Sequence, residues 1–132
     1  MTYTEFVERM VGVQVVGVQR RFGAPPNQLS TADLPAQWPR LPDGDSEIAT
    51  FGDEMGLDTL RCDLVVCVEP MGQNTQPINY ARCLQLIDAL QAALTTAQRS
   101  DHVIDRWTLR LVAEMVGQTP HWLLVASVTG SD

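Results

Sequence analysis

Apolar residues recur every three or four positions in two stretches of this chain, and every second position in several others. The first stretch carries Tyr3, Phe6, Val7, Met10, Val11, Val15, Val18 and Phe22. That spacing fits one face of a helix over residues 3–22. Thr2 or Thr4 is placed to cap it, with Glu5 and Glu8 near its positive end. Arg20 and Arg21, followed by Gly23 and two prolines, suit a helix end. The valine-rich VGVQVVGVQ inside it competes as a strand, and Gly12 and Gly17 weaken either reading.

The second helical stretch begins near Pro77, a residue suited to a first turn, and runs to about Gln98. Tyr80, Cys83, Leu84, Ile87, Leu90, Leu94 and Ala97 form its stripe, and Arg99, Ser100 and Asp101 lead out of it. Alternating patterns fall elsewhere. Ser46–Phe51 and Leu57–Glu69 read as a β-hairpin turning at Gly52–Gly56. In its second strand Leu60, Cys62, Leu64, Val66 and Val68 share one face, and Arg61, Asp63, Val65, Cys67 and Glu69 the other. Over 103–116, Trp107, Leu109, Leu111, Ala113 and Met115 oppose Arg106, Thr108, Arg110, Val112 and Glu114. The turn Gly117–Pro120 then leads to a last strand, Trp122–Thr129.

Residues 23–45 hold five prolines and are expected to be mostly extended loop, with LPAQWPRLP running along a sheet edge. The order α-β-β-α-β-β, with an extra edge strand near Trp38, predicts an α+β fold. The sheet is mostly antiparallel or mixed, of four to five strands, with two helices on one face. Its other face would carry Arg61, Asp63, Arg106, Thr108, Arg110 and Glu114 beside Val65, Cys67, Val112, Leu123 and Val125. That half-polar surface is either open for contact or covered by the first helix or the proline-rich loop.

The length of 132 residues and an apolar fraction of 45% suit one domain with its own core, spanning 1–132. No apolar run approaches the length of a membrane span, and the acidic start of the chain does not read as an export signal. Nine cations against 16 acids give a net charge of -7, which argues against general nucleic-acid binding. All nine cations are arginine. The missing lysine excludes Schiff-base and P-loop lysine chemistry, and a GC-rich genome is its plainest cause.

Candidate chemistry is thin. Cys62 and Cys67 point to opposite faces of one strand and cannot share a metal, while Cys83 lies on a buried stripe. Three cysteines without paired spacing suit free thiols in a reducing compartment. His102 and His121 lack ligand-type neighbours and are expected at the surface or at strand edges. DGDSE at 43–47 resembles a calcium loop, but the ligand spacing is wrong and a solvated turn fits better. No phosphate cradle, nucleophile elbow or zinc motif is present. These observations point to no enzyme, no metal and no cofactor. A small enzyme or ligand-binding domain using Cys67 or His121, or a regulatory dimer, are the alternatives from other classes.

The helix–strand order resembles that of the tail-terminator proteins of long-tailed phages, the family of the minor tail protein U. The similarity runs through DLPAQWPRLP, the acidic turn, LDTLRCDLVVCVEP and the helix INYARCLQLIDALQAAL, and is strongest in VVCVEP followed by LIDALQAAL. The resemblance implies a virion protein, assembled in the host cytoplasm, that caps the tail tube near the head–tail junction. It implies a hexameric ring that stops polymerisation and offers a surface for the head. Its partners would be other copies of itself, the tail-tube protein and a head–tail connector or neck protein, with no membrane and no sequence-specific nucleic-acid binding. Another head–tail joining protein, of the neck or tail-completion kind, has the same size and acidity. A ring needs unlike patches to meet. Arg20, Arg21, Arg40, Arg61, Arg99, Arg106 and Arg110 are expected to meet acids of the 43–54 region on a neighbour, with Asp43, Asp45, Glu47, Asp53, Glu54 and Asp63 as candidates.

Overall fold

Thr2 opens the first helix. Its hydroxyl accepts from the Glu5 N–H at 3.1 Å while the Glu5 carboxylate accepts from the Thr2 N–H at 3.3 Å, which satisfies two of the orphan donors at the helix start. The structure, a computed structural model, describes residues 1–44, 46–52 and 56–131. Helix α1 covers Tyr3–Val11 and buries Phe6 and Met10. It is shorter than the expected 3–22, because Gly12 caps it and the chain turns at Gly17, where φ is +95°. Val13 and Val15 still reach the core, but at a spacing of two, as an extended segment buries its residues. The chain then forms strand β1, Arg20–Arg21. Both sequence readings thus hold in part.

The proline-rich segment contains β2, Ala36–Arg40, beside β1 in parallel pairing. Strand β3 is only Ala49–Thr50, and β4 runs from Thr59 to Pro70. The pairing Ala49↔Leu60 makes the expected hairpin. Its tip, residues 53–55, lies outside the described residues, as does Asp45. Helix α2 covers Tyr80–Asp101. It starts three residues after Pro77, because the Asn79 side chain caps it by accepting from the Arg82 N–H at 3.1 Å. Its buried face is Cys83, Leu86, Leu90 and Leu94, whereas Tyr80 and Leu84 are exposed. The helix is therefore rotated from the expected stripe towards Leu86, a spacing equally compatible with 3.6 residues per turn.

Strands β5, Ile104–Val116, and β6, Thr119–Ser131, form a long hairpin. Gly117, with φ +64°, occupies the first turn position, as a tight two-residue turn requires. A Cβ there would lie 2.9 Å from the Asn27 carbonyl. Strand order is β1-β2-β4-β6-β5, with β3 also on β4. All neighbours except β1 and β2 are antiparallel. The fold is thus α+β with a six-stranded mixed sheet. Two of those strands are two-residue pieces: β3 falls inside the expected strand Ser46–Phe51, whereas β1 lies where the sequence pattern suggested a helix end.

Two cores flank the sheet. Phe6 and Met10 of α1 and the buried face of α2 cluster with Leu60, Cys62, Leu64, Val66 and Val68 of β4. On the other face Trp38, Val65, Cys67, Leu123 and Val125 pack with Leu34, Phe22 and Leu29. The proline-rich loop therefore covers the apolar half of the second face, one of the two outcomes foreseen for it. The strand faces of β4 match the expected alternation from Leu60 to Val68; a bulge between Cys67 and Glu69 then turns Glu69 to the helix side, where its carboxylate accepts from the Asn79 N–H at 3.1 Å.

Candidate interaction surface

The uncovered half of the second face is charged, and Arg40 organises it. Its guanidinium donates to Glu114 at 2.6 and 3.3 Å, to Asp43 at 2.7 Å and to Asp63 at 3.4 Å. Arg40 lies on β2 and Glu114 on β5, with β4 and β6 between them. Arg40 is level with Thr108 of β5, six residues from Glu114, so in a flat sheet three strand spacings and that offset would separate their backbones by more than about 20 Å, beyond the reach of the two side chains. Their contact therefore means that the sheet curls towards this face, and Arg40 clasps its two sides. Arg110 adds looser contacts, 3.8 Å from both Asp43 and Asp63.

Asp63 is buried. Burial raises its carboxyl above the usual range, although Arg40 and Arg110 pull it down. Burial also works against the charge of Arg40, but the Glu114 hydrogen bond and the surrounding acids hold its pKa above the ordinary value. The Tyr3 hydroxyl donates to the Arg61 carbonyl at 2.5 Å, and burial beside Cys62 and Asp63 pushes its pKa up to about 12. A cleft of about 100 Å³ lies here between Asp43, Arg61, Asp63 and Arg110.

The expected interface residues divide accordingly. Arg40, Asp43, Asp63 and Arg110 come together within one chain. Arg61 lies 3.6 Å from Glu47, and Arg20 lies 3.3 Å from Asp33. Arg21 donates to the Val15 carbonyl at 2.8 Å. Arg99 and Arg106 are exposed and have no acidic partner among the described residues. Asp45, Asp53 and Glu54 lie outside the described residues. The arginines that pattern reading assigned to a neighbour's acids are thus mostly occupied by acids of their own chain.

The thiols are poor nucleophiles. Burial pushes Cys62 and Cys67 up to about 12 and raises Cys83 as well. A thiol so far from ionising carries little thiolate near neutral pH. His121 is buried, with Nδ1 2.8 Å from the Thr119 carbonyl, rather than at the surface as expected. It follows the exposed Thr119 and Pro120 and precedes the buried run Trp122–Ala126 of β6. His102 is exposed and caps α2 in the left-handed conformation, with φ 58°. Among the described residues no group of three or more metal-type ligands converges, and no helix is long and apolar enough to cross a membrane.

Sequence reading missed two apolar surfaces and one edge. Leu41, Ile48, Phe51 and Leu57 are all exposed and all lie between β2 and β4. A groove of about 560 Å³ runs between the segment after α1 and the side of α2, walled by Val13, Val16, Ala89, Ala93, Thr96 and Ala97. Arg9 and Asp101 form an ion pair across one end. The alanines of α2 were the available signal, since small residues on the side of a helix leave a trough. The edge is β5, which pairs on one side only. No protein-family model matches the chain, and no curated protein matches it significantly.

Proposed function

We propose that this protein is a structural assembly subunit that caps a phage tail tube as a ring of identical copies, ends tube growth and offers a surface for head attachment. The observation that carries this reading is the pair of unlike apolar surfaces. Copies in a ring meet head to tail, so one patch must fit a different patch on the next copy. The exposed Leu41, Ile48, Phe51 and Leu57 lie on the segment joining β2 to β4, and the trough beside α2 is an apolar recess on a different element. Charge favours the same pairing. Asp43, Glu47 and Asp58 lie on the same segment as these apolar residues, and Arg99 lies next to Ser100, a residue of the trough, without an acidic partner among the described residues. The similarity of VVCVEP and LIDALQAAL to the tail-terminator family supplies the tube as the surface to be capped.

The test is electron microscopy of the protein with and without purified tail tubes. A sixfold ring seated on tube ends is expected. Phe51→Asp on the segment joining β2 to β4, or Ala93→Glu in the trough, should abolish the ring while leaving the circular dichroism of the subunit unchanged. Failure to bind tube ends, or rings indifferent to both substitutions, refutes the reading.

A further inference from the structure

Strand β5 is a long sheet edge whose bulge lies at its very start and which, among the described residues, no loop or helix pairs with along Trp107–Met115. Exposed edges offer unpaired N–H and C=O groups, and proteins blunt them with short strands, lysine, proline or bulges. The opposite edge, β1, is two residues long. Strand β5 is 13 residues long, and its one irregularity lies at its start, between Ile104 and Arg106. Every residue from Asp105 to Met115 is exposed or half-buried, whereas most of β6 is buried. Met115 is 60% exposed.

The hairpin fixes which groups are free. Val116 and Thr119 flank a two-residue turn, so they form a hydrogen-bonded pair. Alternation then turns the N–H and C=O of Arg110, Val112 and Glu114 towards β6. Those of Trp107, Leu109, Leu111, Ala113 and Met115 point outwards, and none has a partner among the described residues.

We infer that two copies of this chain join through their β5 edges, antiparallel, about a two-fold axis at Val112. Antiparallel self-pairing places residue i opposite a residue fixed by the axis, so each register makes a distinct set of neighbours. An axis at Thr108 sets Arg106 against Arg110 twice. An axis at Arg110 sets that arginine against itself, while setting Arg106 against Glu114 twice. An axis at Val112 sets Arg110 against the second copy's Glu114 twice, and Val112 against its own copy. It also pairs Leu109 with Met115 and Leu111 with Ala113, which gives the exposed Met115 an apolar neighbour. The outward-facing odd residues make the backbone hydrogen bonds. The even pairs fall at the non-hydrogen-bonded positions, where side chains approach most closely. Like charges directly opposite are destabilising and opposite charges favourable; axes at Leu109 or Leu111 oppose no charges, and of these registers the one at Val112 alone joins opposite charges without a like-charge pair. Arg110 has donors to spare, since its contacts at 3.8 Å are long and half of its side chain is exposed. The ion pairs of both copies would then form one band across the joined sheet. The pairing rests on the edge alone and stands whether or not the protein forms rings.

Cross-linking tests the register directly. Opposed residues at a non-hydrogen-bonded position have Cα atoms about 4.5 Å apart, within disulfide range. The three native thiols are buried. Val112→Cys should therefore give a covalent dimer under mild oxidation, and Leu111→Cys should not. Light scattering of the unmodified protein should show a dimer. Ala113→Pro, which removes an outward N–H and leaves the β6 ladder intact, should give a folded monomer. Arg110→Glu and Glu114→Arg should each be monomeric alone and should pair with each other when mixed. A protein that stays monomeric at its highest attainable concentration overturns the proposal. So does a dimer or ring that Val112→Cys fails to cross-link and Ala113→Pro leaves intact.

Discussion

Replacing Arg40 by methionine keeps most of the packing of its stem and removes the charge that joins β2 to β5. Three carboxylates lose their common partner. Their side chains are 3% exposed for Asp63, 35% for Glu114 and 56% for Asp43. Breaking a buried pair by removing one member costs about 3–5 kcal/mol. Only Asp63 meets that description, and its contact of 3.4 Å is the longest of the three. The pairs to Glu114 and Asp43 are partly solvated and contribute up to about 1 kcal/mol each. The expected loss near neutral pH is therefore about 3 kcal/mol, or a fall of roughly 10 °C in Tm for a chain of this size. The pH dependence distinguishes this account from simple loss of packing. Burial already raises Asp63 in the folded protein, with Arg40 opposing. A carboxyl whose folded pKa lies above its unfolded value favours folding more at low pH, and that contribution is lost as pH rises through the folded pKa. Without Arg40 the pKa of Asp63 climbs further, so the deficit should shrink as the solution is acidified. Adding Asp63→Asn to Arg40→Met should recover a large part of it. Urea unfolding of the four members of this double-mutant cycle, near pH 7 and near pH 4, measures each quantity. A deficit below about 1 kcal/mol, one independent of pH, or no rescue by Asp63→Asn refutes the clasp.

The thiols of the native protein should react slowly with a disulfide reagent near pH 8 and quickly once the chain is unfolded, since burial pushes Cys62 and Cys67 up to about 12. Fast stoichiometric labelling of the native protein would contradict their placement. Gly130→Ala should destabilise by about 2 kcal/mol, because the new Cβ would lie 2.6 Å from the Phe6 ring and 2.9 Å from the Val103 carbonyl. Gly23→Ala, with nothing within 4 Å of its Cβ, should stay within about 0.5 kcal/mol of the parent, and thermal unfolding of the two variants compares them. Leu90→Ala, at a fully buried position of α2, should cost about 3 kcal/mol in denaturant unfolding, from lost burial and the cavity left behind.

The elements most legible in the sequence were those whose burial is decided by their own periodicity. Strand β4 is buried on both faces, and its alternate residues separated cleanly into two sets. Helix α1 was less legible. Val13 and Val15 are buried on either side of the exposed Gln14, and in a stretch where valines stand at 11, 13, 15, 16 and 18 spacings of two and of three or four occur together. The stripe of α2 was ambiguous between Leu86 and Ile87 because both fall within the arc that a helix can bury. The candidate site was the least legible part. Arg40 and Glu114 are 74 residues apart, and their meeting depends on strand order and sheet curl, neither of which leaves a local trace. Strand β5 alternates as any half-buried strand does. That nothing lies on its far side follows only from the placement of β6 between β4 and β5.

The last strand in chain order lies inside the sheet. Leu64 of β4 pairs with Ala126 and Trp107 of β5 with Val128, so β6 is the shared partner of two strands that precede it. During synthesis the N-terminal part of the chain emerges from the ribosome first, with β4 lacking its longest neighbour. Both apolar faces of β4 have covers among earlier residues, but one of its long edges stays open until β6 appears. Helix α2 and the β5–β6 hairpin form through local contacts, which are fast, whereas docking the hairpin onto β4 closes a long loop and is slow. The nascent chain therefore carries an open edge on β4 while residues 71–118 are being added, and native pairing competes there with neighbouring chains on the same message. If docking of the hairpin is the slow step, slower elongation or lower temperature should raise the soluble fraction at high expression.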